Sequence, residues 1–397
     1  MESTFSTRKG SMGETGALLK ENLRNYAMYI ALAVIFILFS FLSNGAFLTA
    51  RNITNLINQT GYVAVMAVGM TVILILQHID LSIGFAAGFF GACAALLLKN
   101  GLNVGIVIIM ILAGGVMAGV IQGTIVGLLR VPAFVTTLAF QFVFRGLLTL
   151  VTDTGTIRVG NDVFSNLSNG FAPSLFMVGG RHGSSLLLGA LAIIIVIFSR
   201  FRERNDLKRY HFKTTPWPLF AFGLLFFAVL IGSFAYILSG YNGISWTIMI
   251  VAVITIFYNF MLNRTRLGRH VYGVGGNREA ALLAGINVRK MTIIAFSSMG
   301  LMAATGGILF TSRLQSATPT AGAGFELDAI AACFIGGVST TGGIGKVVNT
   351  IVGAFVIMSL TNGLNLLSVG ISYQYIIKGA IFILAVAFDV FSRGKRN

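Results

Sequence analysis

Residues 103–127 read NVGIVIIMILAGGVMAGVIQGTIVG and contain no Asp, Glu, Lys or Arg. A helix of about 20 apolar residues crosses the roughly 30 Å hydrocarbon core of a bilayer, so this stretch is a membrane span. Gly115, Gly119, Gly123 and Gly127 stand four apart within it. Positions i and i+4 share one helix face, and glycine there lets two backbones approach closely when lipid supplies no hydrophobic drive. The ladder predicts helix packing inside the chain, with a dimer face as the alternative. The preceding span repeats the spacing at Gly84, Gly88 and Ala92.

The same apolar character runs through all 397 residues: 56% are AVILMFWYC and only 10% are DEKR, against roughly 25% charged in an ordinary soluble domain. Mean hydropathy is +0.86. Too few charged groups exist to cover a water-facing surface, which excludes a soluble enzyme and a disordered chain. Clear spans fall near 26–43, 55–77, 81–98, 103–127, 132–152, 185–199, 216–238, 245–262, 290–311, 347–366 and 372–391. A further apolar stretch, Ala329–Val338, is short for a crossing. It reads as a half-helix or re-entrant segment, tolerated only where protein or a cavity covers its backbone. The expected fold is an all-α integral membrane protein, a polytopic bundle of ten to twelve transmembrane helices in one domain, 26–391. Tails lie at 1–25 and 392–397. No cleavable signal precedes the first span, which predicts that it is retained. Cys93 and Cys333 both lie in apolar runs and indicate no disulfide framework.

The net charge of +16 is a matter of placement. Arg8, Lys9, Lys20 and Arg24 precede the first span. Arg200, Arg202, Arg204, Lys208, Arg209 and Lys213 occupy a basic loop at 200–215. Arg264, Arg266, Arg269, Arg278, Arg289 and Lys290 occupy a second at 263–290, and Arg393, Lys395 and Arg396 end the chain. These segments hold 19 of the 28 cations. Positive-inside places them in the cytoplasm, with both termini, which requires an even number of crossings. The short segment 329–338 then counts as one. Topology thus absorbs most of the charge, and nucleic acid is not an expected partner.

Few residues carry chemistry. In His78-Ile79-Asp80-Leu81-Ser82-Ile83-Gly84, Asp80 is placed to cap the helix that starts at Leu81-Ser82; direct ligand or gating contact is the alternative. Glu326 and Asp328 likewise read as helix-start residues. The stretch Gly336–Lys346 resembles a phosphate loop but has Thr340 where the first glycine is required and Val347 where Ser or Thr belongs. Residues 273–278 lack the third glycine of a dinucleotide fingerprint. The four histidines, 78, 182, 211 and 270, are scattered, so no metal site and no catalytic centre is expected. Polar residues inside apolar spans are candidates for a translocation path or gate: Gln122, Gln141, Asn362 and Asn365, together with Asp80 and Ser82. Each has an alternative role in bonding a neighbouring helix.

The segment Gly276-Asn277-Arg278-Glu279-Ala280-Ala281-Leu282-Leu283-Ala284-Gly285-Ile286-Asn287-Val288 has short helical character. Asn277 is a candidate N-cap, Glu279 sits in the first turn, and Ala280, Ala281 and Ala284 form a small-residue face suited to a partner's groove. It resembles the cytoplasmic coupling loop of the permease subunits of ABC sugar importers of the ribose, xylose and multiple-monosaccharide group. Three further stretches are similar to that family, in its order. They are Gly69–Val72 with His78–Gly84, Val131–Leu138 with Arg145-Gly146, and Asn362–Leu366 with Lys378-Gly379. Together they cover about 50–390, and the extra basic loop and helix around 200–240 resemble the longer branch. Gln77 departs by standing where the branch has Gly, and no Ile-x-Leu-Pro follows Gly285.

The resemblance implies the ABC importer permease fold in a bacterial inner membrane. It implies a cytoplasmic ATPase that carries ATP and Mg, none being bound by this chain. It further implies an extracytoplasmic sugar-binding protein and a second permease copy, with Asn277–Gly285 docking on the ATPase. An ion-gradient-driven secondary transporter is the rival class, and its support is Asp80 and Asp328 before Gly-rich segments in opposite halves. A nucleoside-type ABC permease would keep the mechanism and change the cargo.

Overall fold

The computed structural model describes residues 28–210, 212 and 214–394. The N-terminal tail, His211, Lys213, Lys395 and Arg396 lie outside the described residues. The chain is helical nearly throughout. An apolar helix α1 (Met28–Leu42) is followed by α2 (Ala50–Ile75), α3 (Ile83–Lys99), α4 (Val104–Gly127) and α5 (Ala133–Thr152). A short helix α6 (Asp162–Asn169) precedes α7 (Gly183–Arg209), α8 (Trp217–Ser239) and α9 (Trp246–Arg264). Two short helices, α10 (Arg266–Gly276) and α11 (Arg278–Leu283), lead into α12 (Val288–Leu314). The chain ends with α13 (Phe325–Ile335), α14 (Val347–Leu366) and α15 (Ile371–Gly394). Strand pairing among the described residues is confined to two-residue ribbons, Ile157–Arg158 with Ser316–Ala317 and Met177–Val178 with Arg181–His182.

Local chemistry sets the helix starts. The side chains of Thr49, Asn103, Asn161, Thr265, Asn277 and Asn287 each accept a backbone N–H from the first turn that follows. Those donors have no partner within their own helix, so a cap satisfies them.

Helix α2 is the axis of the bundle, with Ile53, Leu56, Met66, Met70, Ile73 and Ile75 fully enclosed. Around it pack α3, α12, α13 and α14. The glycine ladder of α4 lies along α12: Gly115 faces Gly300, Gly119 faces Phe296, Gly123 faces Ile293 and Gly127 faces Arg289. Gly84 and Gly88 likewise make close approaches within the chain, but to a different neighbour. They lie under Gly322 and Ala321 of the loop before α13, while Gly91 makes the close approach to α12 at Gly307 and Thr311. Outward faces of α1, α5, α7 and α8 carry exposed Phe41, Phe142, Phe198 and Leu225, as lipid contact requires.

Eight of these helices are long and apolar enough to cross a membrane, and Met28–Leu42, Ile83–Lys99 and Ile371–Leu384 are shorter apolar helices. The short apolar segment begins earlier than its composition implies, because Glu326 and Asp328 form the first turn of α13. Its 11 residues rise only about 16 Å. The following loop completes the passage: Gly343 N–H bonds the carbonyl of Ile75 at the end of α2. With the three shorter helices and α13 counted, the described residues hold twelve candidate passes, an even number.

Two boundaries shift outward. Residues 200–209 belong to α7, whose 27 residues exceed the ~20 that a bilayer needs, so the first basic segment is a projecting helix end. Helix α15 runs to Gly394, into the tail expected at 392–397. The cationic ends of α7 and α9 lie on the same side of the bundle. Both helices start beside each other, at His182–Ser185 and Gly243–Trp246, and run away from that contact.

Candidate coupling and translocation sites

At the cation-bearing end, α10 and α11 form a compact hook. Asn277 accepts the Ala280 N–H at 2.9 Å and starts α11. Ile286 N–H returns to the Ala281 carbonyl and Gly285 N–H to the Leu282 carbonyl, each at 3.0 Å. This stop needs a left-handed residue, and Gly285 supplies it at φ +79°. The small-residue face predicted for docking is divided by this fold. Ala281 is only 4% exposed and faces its own chain, whereas Leu283 is 91% and Leu282 54% exposed. The exposed surface of α11 is therefore Leu282, Leu283 and Glu279, with Ala280 and Ala284 at its edge. A 3.6-residue period puts Ala281 on the face opposite Leu283, and covering Ala281 leaves the leucines outside.

The hook is wired to the bundle at the break between α2 and α3. The Gln77 amide donates to the carbonyls of Gly275 and Thr341, both at 2.8 Å. Tyr272 Oη donates to the Gly345 carbonyl at 2.6 Å. His78 sits in the same turn. Burial, and then the Arg278 guanidinium, lower its imidazole to about 4. The Gly336–Lys346 stretch thus forms a tightly packed loop, with Gly337, Gly342 and Gly343 at positive φ.

The polar candidates inside the spans fall into separate groups. Asp80, Ser82 and Gln122 meet: Asp80 Oδ1 accepts Ser82 N–H at 2.8 Å and Ser82 Oγ–H at 2.6 Å. Gln122 Nε2 donates to Ser82 Oγ at 2.9 Å. Helix α3 begins at Ile83, two residues later than expected, so Asp80 fixes the turn before it and Ser82 takes the cap position. Gln141 lies apart, 3.5 Å from Glu326 Oε1. Asn362 pairs reciprocally with Asn52 of α2 at 2.9 and 3.1 Å. Asn365 accepts from Gln374 of α15 at 2.8 Å. Sequence reasoning missed the strongest of these contacts, Lys378 Nζ to both oxygens of Asp328 at 2.9 and 3.0 Å. Its signal was present: a lysine seven residues into an apolar helix needs a counter-charge. Among the described residues no group of three or more His, Cys, Asp and Glu is placed to hold a metal ion.

A helical bundle with eight helices long and apolar enough to cross a membrane, buried polar pairs between helices and a leucine-bearing hook on its basic end is the architecture of a polytopic membrane permease. The family described as "Branched-chain amino acid transport system / permease component" matches residues 52–386, and the chain belongs to that family. It is similar to the xylose transport system permease protein XylH of Haemophilus influenzae, 36% identical over 375 residues, covering 94% of this chain and 98% of the relative. The XylH of Escherichia coli (strain K12) is 34% identical over 378 residues, 95% of this chain and 94% of the relative. The ribose import permease protein RbsC of the same strain is 35% identical over 386 residues, 97% and 98% of the two chains. No solved structure matches.

Proposed function

We propose that this chain is the membrane-spanning permease subunit of an ATP-driven importer that carries monosaccharides of the xylose and ribose class. The observation that carries the cargo is similarity over nearly the whole chain to xylose and ribose permeases, against a family description that names amino acids. The ATP would be hydrolysed, with Mg, on a separate cytoplasmic subunit. Leu282 and Leu283 of α11 are exposed apolar side chains at the basic end of the bundle, where the positive-inside rule places the cytoplasm. Docked in a groove of the ATPase, α11 would pass nucleotide-driven movement through Gln77 and Tyr272 into α2 and the 336–346 loop. Such a switch works only if its two states bind partners differently. An external binding protein would deliver sugar to the opposite end, and a second copy of the chain would complete the pathway. Asp80 and Asp328, the support for an ion-driven carrier, are both engaged, by Ser82 and by Lys378.

The test is uptake in proteoliposomes that hold the permease with its ATPase, and the loaded binding protein outside. Xylose or ribose accumulation should require internal ATP and survive collapse of ion gradients. Accumulation driven by an ion gradient without ATP would overturn the assignment.

A further inference from the structure

A cavity of about 380 Å³ opens between α13, α14 and α15, with Tyr62 of α2 at its base. The Asp328–Lys378 pair forms one wall, and Gln374, Thr361 and the rings of Phe325 and Phe382 line the rest. Its volume lies in the roughly 300–1,000 Å³ range of small-molecule sites. The cavity belongs to the half of the bundle opposite the α11 hook. It lies where α14 ends and α15 begins, and where Asn362 meets Asn52 near the start of α2.

Resting on the permease assignment, we infer that this cavity is a subsite for one neutral monosaccharide on its way through the membrane. Three features select that chemistry. The ion pair has zero net charge, so it favours neither an anion nor a cation overall, while a hydroxyl that both donates and accepts can bond either member. A carboxylate has about four lone-pair sites and an ammonium three protons; the pair uses two of each. The remaining capacity is an acceptor beside a donor, which matches neighbouring hydroxyls on a sugar ring. The facing rings of Phe325, Phe382 and Tyr62 suit the apolar C–H face of the same ring. A charged pair inside apolar helices is costly unless it serves a buried bond or a polar passenger, and here it borders open space.

Gly379 lines the cavity, and a Cβ built there meets no atom within 4 Å. A side chain added at this position on the cavity's lining meets open space and displaces no protein, which makes it the test position. With the complete importer in proteoliposomes and saturating xylose-loaded binding protein, Gly379→Ala should slow uptake modestly. Gly379→Leu should slow it by about 10-fold or more, the low end of what misfit in a shaped pocket costs, whereas a single methyl leaves most of the cavity free. ATP hydrolysis should persist, so that ATP consumed per sugar rises. As a second measurement, Gly379→Cys in the assembled complex should react with a small thiol reagent, detected at that position by mass spectrometry, and millimolar xylose should slow the reaction. Parent uptake with unchanged Gly379→Leu rates, or labelling indifferent to xylose, overturns the subsite. Absence of ATP-driven uptake by the parent overturns the permease assignment instead.

Discussion

Gln77 Nε2 lies 2.8 Å from the Gly275 carbonyl, and this bond joins the α2–α3 break to the helix that carries the α11 hook. Gln77 makes the bond from a left-handed backbone, φ +64°, a conformation that favours glycine.

Replacing Gln77 separates the two effects. Gln77→Ala keeps the strained backbone and loses both side-chain bonds, each worth about 0.5–1.5 kcal/mol. Gln77→Gly loses the bonds but relieves about 1 kcal/mol of backbone strain. Thermal unfolding in detergent should therefore rank the parent first, Gly second and Ala third. An Ala variant as stable as the Gly variant would remove the strain from this account.

The hook predicts two kinds of failure. Leu283→Asp should leave the permease folded and abolish co-purification with the ATPase, because Leu283 points fully outward. Ala281→Trp should lower the melting temperature of the isolated permease, because that side chain faces its own chain. Gly285→Val adds strain at φ +79°, at a cost of roughly 1–2 kcal/mol.

On α4, Gly119→Val drives a side chain into the Phe296 backbone of α12, so about 3 kcal/mol or more of stability should be lost or the protein should fail to accumulate. Five residues earlier, Gly114→Ala meets only the Phe90 ring at an ordinary 3.4 Å and should change stability by no more than about 0.5 kcal/mol. Expression and melting temperature compare the two directly.

His78 is held at about 4 against an ordinary 6.5. Between those values the unfolded chain binds a proton that the folded chain refuses, so stability rises with pH across the window and is lost as pH falls from 6.5 towards 4. The loss amounts to at most about 3 kcal/mol. Melting temperatures of parent and His78→Asn at pH 7.5 and 5 should converge at the lower value; an unchanged difference contradicts the assignment.

Sidedness is open to a labelling test. Glu203 is exposed on the projecting end of α7, so Glu203→Cys should resist a membrane-impermeant thiol reagent in intact cells and react in inverted vesicles. Labelling from outside would reverse the orientation.

Much of this molecule is written in its order of residues. Spans such as 103–127 and 347–366 reappear as α4 and α14 with little change, because a bilayer rewards about 20 apolar residues in a row and penalises any open backbone. Asn277 and Gly285 bound α11 as read, since caps and left-handed stops are local chemistry. Partners across the bundle were another matter. That Asn362 bonds Asn52, 310 residues away, that Lys378 neutralises Asp328, and that Gly91 rather than Gly88 meets α12 follow from how helices rotate and cross. Uniformly apolar helices give no amphipathic stripe to reveal that rotation; only packing sets it. The same holds for the hook, where packing of α11 against α10 and α12 decides that Ala281 turns inward and Leu283 out.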